Sequence, residues 1–426
     1  MRTITITAAV AAGAAALALT GAYPTTAEAK AHSPSPAAVL AWNQIAVQTG
    51  LAATQTNQEA MMRLAYVQAA VFDAVDALDG GYQPYAGNLH ARGRTDGDAG
   101  VAAAAHRILV TQFPSQQATL DHAYDAALAG IPDGHPKDRG IELGEAAAAD
   151  VQQARANDGF QAAISYTFGS GPGVWVLPTD NPATTPATPW AAKMSPFIMS
   201  TAKQFRPGPP PALTSGAYTA SYTETKDYGS ATGSLRSPTQ TDTALFWGLG
   251  RPDAQYNAAI RGLITTHSFT RVQAARALAL TDLTAADAFI ACFDGKYTYS
   301  AWRPYTAIRA ADTDGNPNTT ADPTWTPLVR TPNHPEYPAN HACVTTSFAT
   351  TVDNLLGPAN FAITVPATPA SAPDRQFTSS TQLITEIANA RIWGGVHFRF
   401  STDAGTTIGR SVAHYDYQHG LQPDHD

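Results

Sequence analysis

The sequence predicts an all-α protein of two helical halves around a long Pro-rich crossover. Apolar residues recur at steps of three and four in both halves, and convincing alternation at every second residue is missing. Composition also shifts between Ser165 and Ser237 toward Pro, Gly, Thr and Trp. With 426 residues, 44% of them hydrophobic and 14% charged, the chain can bury a large core.

The first stretch, "MRTITITAAVAAGAAALALTGAYPTTAEAKAH", places Arg2 before an apolar run from Ala8 to Leu19. Ala27-Glu28-Ala29 then supplies a small-x-small cleavage pattern, so residues 1–29 are expected to be a Sec-type signal peptide of a secreted protein. That run is short for a bilayer, and no later segment has ~18 uncharged apolar residues in succession, so no membrane span is expected.

Residues 30–164 form the first helical half. In "QEAMMRLAYVQAAVFDAVDALDGGYQPY", Leu64, Val67, Val71, Val75 and Leu78 mark one helix face, and Gly80-Gly81 end it. Alanine-rich helical patterns follow in "DAGVAAAAHRILVTQF", "PSQQATLDHAYDAALAGI" and "PKDRGIELGEAAAADVQQARANDGF". Residues 165–237 read as a Pro/Gly-rich irregular segment. Its scattered Trp175, Trp190, Phe197 and Phe205 suit packing on the surface better than a free linker. Helical patterning resumes across 238–426.

Net charge is -8, which argues against a nucleic-acid surface, because phosphate backbones need a basic footprint. Any anion site must be a local cluster of cations, and three segments of the second half place charge on apolar faces. In "TAADAFIACFDGKYTYSAWRPYTAIR", Phe289, Phe293, Lys296 and Arg303 fall on one helical face, with the cations about 10 Å apart along the axis. In "TSSTQLITEIANARIWGGVHFRF", Leu383, Ile387 and Arg391 step by four. Gly394-Gly395 then turn the chain toward His397. A buried arginine needs a counter-charge, no acidic partner is evident, and an external anion fits.

In "RTPNHPEYPANHACVTTSFATTVDNLL", three prolines lead to His341 at the start of a helix whose inner stripe is Val344, Phe348, Val352 and Leu355. Unpaired N–H groups at such a start favour an anion. One Lys, two Arg and two His therefore converge on a pocket for a tetrahedral oxyanion. Cys292 and Cys343 are the only cysteines, either one disulfide or two buried thiols. "ADTDGNPNTTADP" has its glycine misplaced for a calcium loop and reads as turn chemistry.

These blocks resemble the signature shared by vanadium-dependent haloperoxidases and the type 2 phosphatidic acid phosphatase superfamily. "KYTYSAWRP" supplies a Lys and an Arg-Pro seven residues on, "YPANH" the block ending in histidine, and "RIWGGVH" an Arg with a His six residues later. "AWNQIAVQTG", "VQAAVFDAVDAL", "QFRPGPPPAL" and "WRPYTAIR" also look like secreted bacterial haloperoxidase-like proteins, so the resemblance covers most of the mature chain.

The resemblance implies two four-helix bundles with the oxyanion site in the C-terminal one. Lys296, Arg303 and Arg391 would neutralise vanadate oxygens, with the Asn340 backbone N–H beside them. His397 would bond the vanadium, and His341 would act as acid/base. His334, seven residues before His341, would be a second catalytic histidine of the bromoperoxidase type. The implied reaction oxidises halide, bromide here, with hydrogen peroxide to a hypohalous equivalent that halogenates a small organic acceptor. Vanadate is the implied cofactor, without haem or flavin, and a homo-oligomer is left open. The same pocket would suit a secreted acid phosphatase using a phosphohistidine at His397, or a catalytically altered oxyanion-binding homologue. The family's Ser-Gly before the histidine is Ala339-Asn340 here. Its acidic residue four after the ligand histidine is Ser401, with Asp403 two further on.

Overall fold

The computed structural model describes residues 34–53, 55–367 and 372–424. The expected signal peptide, residues 1–29, lies outside them. The first half opens with α1 (Ala37–Ala52), and α2 (Asn57–Asp79), α3 (Gly97–Gln112), α4 (Gln117–Ala129) and α5 (His135–Ala154) follow the periodic segments. Side-chain caps set two of these starts: Thr56 and Glu59 form a capping box at α2, and Asp96 accepts the Ala99 N–H at α3.

The crossover is less irregular than its composition suggests. It contains α6 (Gly216–Gly229), opened by a Ser215 cap, where no helix was expected. Its buried side chains include Tyr218, Ser221, Tyr222 and Thr225, so its inner face lacks the aliphatic stripe that marks a helix in sequence.

The second half contains α7 (Pro238–Leu249), α8 (Pro252–Thr266), α9 (Arg271–Tyr299), α10 (Pro304–Arg309) and α11 (Asn340–Leu356). A two-stranded antiparallel ribbon, β1 (Ile363–Val365) with β2 (Arg375–Phe377), leads to α12 (Ser380–Trp393) and α13 (Arg399–His419). The chain is all-α, with that ribbon its one named sheet among the described residues.

Every residue of α9 from Ala274 to Lys296 is buried. Such a helix is a central strut. It packs on α2 of the first half and on α11 and α13 of the second, while α12 completes the second group. Among the polar groups buried along it, the Asp287 carboxylate accepts the N–H groups of Phe197, Ile198 and Met199 at 2.6–2.8 Å.

Helices α11 and α13 approach through glycine. A Cβ at Gly405 would sit 2.5 Å from the Ala339 carbonyl oxygen, and one at Gly409 would sit 2.2 Å from that of Cys343. The contact holds the start of α11 against the start of α13, where the Ala339 N–H donates to the Ser401 carbonyl at 3.0 Å. Cys292 and Cys343 form a disulfide that joins α9 to α11, resolving the choice the sequence left open. The 311–323 segment closes on itself, with Asp314 accepting the Asn316 N–H at 2.7 Å and the Thr319 hydroxyl at 2.8 Å.

Candidate active site

The Pro-rich approach of 330–339 forms the floor of the site. It reaches α11 through a cis Tyr337-Pro338 bond, and Ala339 stands as the N-cap. Lys296, fully buried in the last turn of α9, donates from Nζ to the carbonyls of Pro335 at 3.0 Å and Glu336 at 2.9 Å. Arg303 donates from Nε to the His334 carbonyl at 2.8 Å and from Nη1 to the Val396 carbonyl at 2.7 Å. The two cations therefore pin the segments that carry the histidines.

Arg303 does not share a helix with Lys296 as expected. Helix α9 stops at Tyr299, Ser300 takes a left-handed conformation at φ 47°, and Arg303 is the N-cap of α10. Folding back, rather than two further helical turns, brings it to the site. Arg391 holds its expected place on the inner face of α12, with Leu383 and Ile387. Gly394 and Gly395 end that helix, the latter at φ 73°.

His397 is buried. Its Nε2 lies 3.2 Å from Arg303 Nη1, and its Nδ1 lies 2.9 Å from Glu336 Oε1, which also accepts the Phe398 N–H at 3.0 Å. Glu336 is the site residue that the sequence reading missed. It is the one acidic residue in the Pro-rich approach, and that was the available signal. Ser401 Oγ stands 3.5 Å from His397 Nδ1, a marginal contact, and Asp403 is exposed. A carboxylate on Nδ1 assigns the proton there and makes Nε2 the acceptor, which Arg303 Nη1 faces at 3.2 Å.

His334 is also inside. Its Nδ1 is 3.0 Å from Arg303 Nη2, and its ring lies 5.0 Å from that of Phe293. His341, the second residue of α11, is half-buried, and among the described residues its ring has no hydrogen-bond partner. Asn340 precedes it, buried, with its side-chain Oδ1 unpaired.

Burial dominates the titration of the whole cluster. It lowers Arg391 to about 9, with Arg303 adding repulsion, and lowers Arg303 to about 10. Burial and then Arg303 push Lys296 well below its ordinary value. Burial and the surrounding cations likewise hold His334, His341 and His397 well below theirs, so the three imidazoles are neutral near pH 7. Burial raises Glu336 to about 7 against the pull of Arg303 and Lys296. Positive charge exceeds negative here, and Arg391 Nε and Nη1 are buried without any partner. Unpaired buried donors on a cation are the mark of a site built for an anion.

Residues 276–423 match the family model described as the VCPO second helical-bundle domain. The chain is 27% identical over 311 residues to vanadium chloroperoxidase of Curvularia inaequalis, covering 55% of this chain and 50% of that protein. It thus spans about half the length of that curated relative. The crystal structure of a bacterial vanadium-dependent iodoperoxidase is similar with a TM-score of 0.79 at 21% identity, over 94% of this chain and 100% of the other. A holo-type bacterial vanadium-dependent chloroperoxidase follows with a TM-score of 0.67 at 17% identity, over 86% of this chain and 92% of the other.

Proposed function

We propose that this chain, which belongs to the vanadium haloperoxidase superfamily, oxidises halide with hydrogen peroxide, bromide foremost, to a hypohalous equivalent that halogenates small organic acceptors. The observation that carries the reading is Arg391, whose buried Nε and Nη1 lack partners beside two further buried cations.

The residues fit vanadate. Lys296, Arg303 and Arg391 would neutralise its oxygens, the Asn340 N–H at the start of α11 would donate to it, and His397 Nε2 would bond its metal. Held by these residues, vanadate would supply a Lewis-acidic centre that keeps its oxidation state. The chain's own residues supply the rest. Glu336 fixes the His397 ring and tautomer. Neutral His341 can take a proton at its ring nitrogen and return it, in the manner of a general acid/base. The buried cations concentrate positive charge where oxyanion charge accumulates. His334, held by Arg303 and lying against Phe293, offers a second neutral, buried imidazole for halide selection.

We also place the enzyme outside the cytoplasm, after loss of residues 1–29. The N-terminal pattern and the Cys292–Cys343 disulfide support this address.

The test is bromination of a phenolic dye with peroxide, with and without orthovanadate, beside hydrolysis of an aryl phosphate. Vanadate-dependent bromination is expected. Aryl phosphate hydrolysis inhibited by vanadate, without bromination, would transfer the site to the phosphatase reading.

A further inference from the structure

The pocket departs from its family at the two positions before His341, where Ala339 and Asn340 stand in place of Ser-Gly. Ala339 cannot offer a hydroxyl. It is fully buried, its N–H donates to Ser401, and its carbonyl packs on Gly405. Position 339 is thus spent on the contact between α11 and α13.

Asn340 carries a side chain where the family has none. It is 8% exposed, and its Oδ1 is closed off from solvent with no partner. A buried amide oxygen left unpaired is costly, because it has given up its water without gaining a donor. Such a group persists when a ligand completes it. The neighbouring residue, His341, feels the charge of Arg391, Lys296 and Arg303, and Arg391 itself has Nε and Nη1 buried without partners. The unsatisfied set thus includes donors on a cation and an acceptor on an amide.

We infer that the Asn340 carboxamide replaces the missing serine hydroxyl as the side-chain hydrogen-bond partner of the bound oxyanion. This rests on the oxyanion-site reading above. A hydroxyl and a carboxamide share the needed property, since each can donate to a bare oxygen or accept from a protonated one. The exchange moves the function one residue along the chain and leaves position 339 free to be small against α13. Asn340 is in this account a binding residue, acting on the anion itself.

The experiment measures binding of orthovanadate and of inorganic phosphate by calorimetry, and the melting temperature with and without each anion. The proteins are wild type, Asn340→Ala, Asn340→Gly and the double change Ala339→Ser/Asn340→Gly. Wild type should bind both anions. Asn340→Ala and Asn340→Gly should bind about ten- to a hundredfold more weakly, the range for a lost hydrogen bond to a charged group. Their anion-free melting temperatures should not fall for Asn340→Ala, because an unpaired polar atom has been removed. The double change should recover part of the affinity. Wild-type binding with unchanged affinity in Asn340→Ala would overturn the inference alone. Wild type that binds neither anion would overturn the oxyanion-site reading, and the inference with it.

Discussion

Glu336 and His397 lie 61 residues apart, yet the carboxylate Oε1 stands 2.9 Å from the imidazole Nδ1, and both side chains are shut off from solvent. The same oxygen takes the Phe398 N–H, so one carboxylate fixes the ring and the backbone that follows it. The pair has the form of a metal-ligating histidine held by a carboxylate partner.

Glu336→Gln should therefore weaken vanadate retention by about 10- to 100-fold, the usual effect of losing an orienting partner. Vanadium content after dialysis, read by elemental analysis, checks this. An unchanged content would remove Glu336 from the site.

Arg391 should show opposite effects on stability and binding. Its unpaired guanidinium makes the anion-free protein less stable than a hydrophobic side chain of similar length would. Arg391→Met should raise the anion-free melting temperature and abolish the rise that phosphate or vanadate gives the wild type. A fall in anion-free stability would mean that Arg391 has a protein partner after all.

Much of this site is legible in the sequence, and the failures have physical causes. Lys296, Arg391 and His341 were readable because helical spacing tied each to an apolar stripe that is buried. Arg303 was placed on the wrong element: the left-handed Ser300 ends the helix, and Pro304, which disfavours a helical Arg303, was the signal left unused. Glu336 was missed because its contact with His397 depends on how a Pro-rich loop folds back, and no local periodicity encodes that. Helix α6 was missed because its buried face is tyrosine, serine and threonine.

The Asp282 carboxyl gives a pH signature remote from the site. Burial raises it to about 7, against an Asn257 hydrogen bond of 2.8 Å and the charge of Arg261. Its folded value exceeds its unfolded one, so its contribution to stability is complete below about pH 4 and is lost as pH rises through about 7. Asp282→Asn removes this term. The melting temperature of the variant minus that of wild type should climb between pH 4 and 8, corresponding to as much as about 4 kcal/mol. A difference that is flat with pH would contradict the assignment.

The disulfide closes a loop with a sequence separation of 51 between the helices that carry Lys296 and His341. Chain-entropy arguments give such a link about 4 kcal/mol. Cys292→Ala/Cys343→Ala should lower the denaturant midpoint. Reductant should lower the wild-type midpoint toward that of the variant and leave the variant unchanged. Equal midpoints for oxidised wild type and the variant would contradict this.

The most direct test of the account is peroxide-dependent halide oxidation by protein stripped of vanadium and titrated with orthovanadate. Activity should be missing at the start, rise with added vanadate and saturate at about one equivalent per chain, with His397→Ala inactive throughout. Halide oxidation that is full without vanadate, or no oxidation of iodide, bromide or chloride at saturating vanadate, would contradict it.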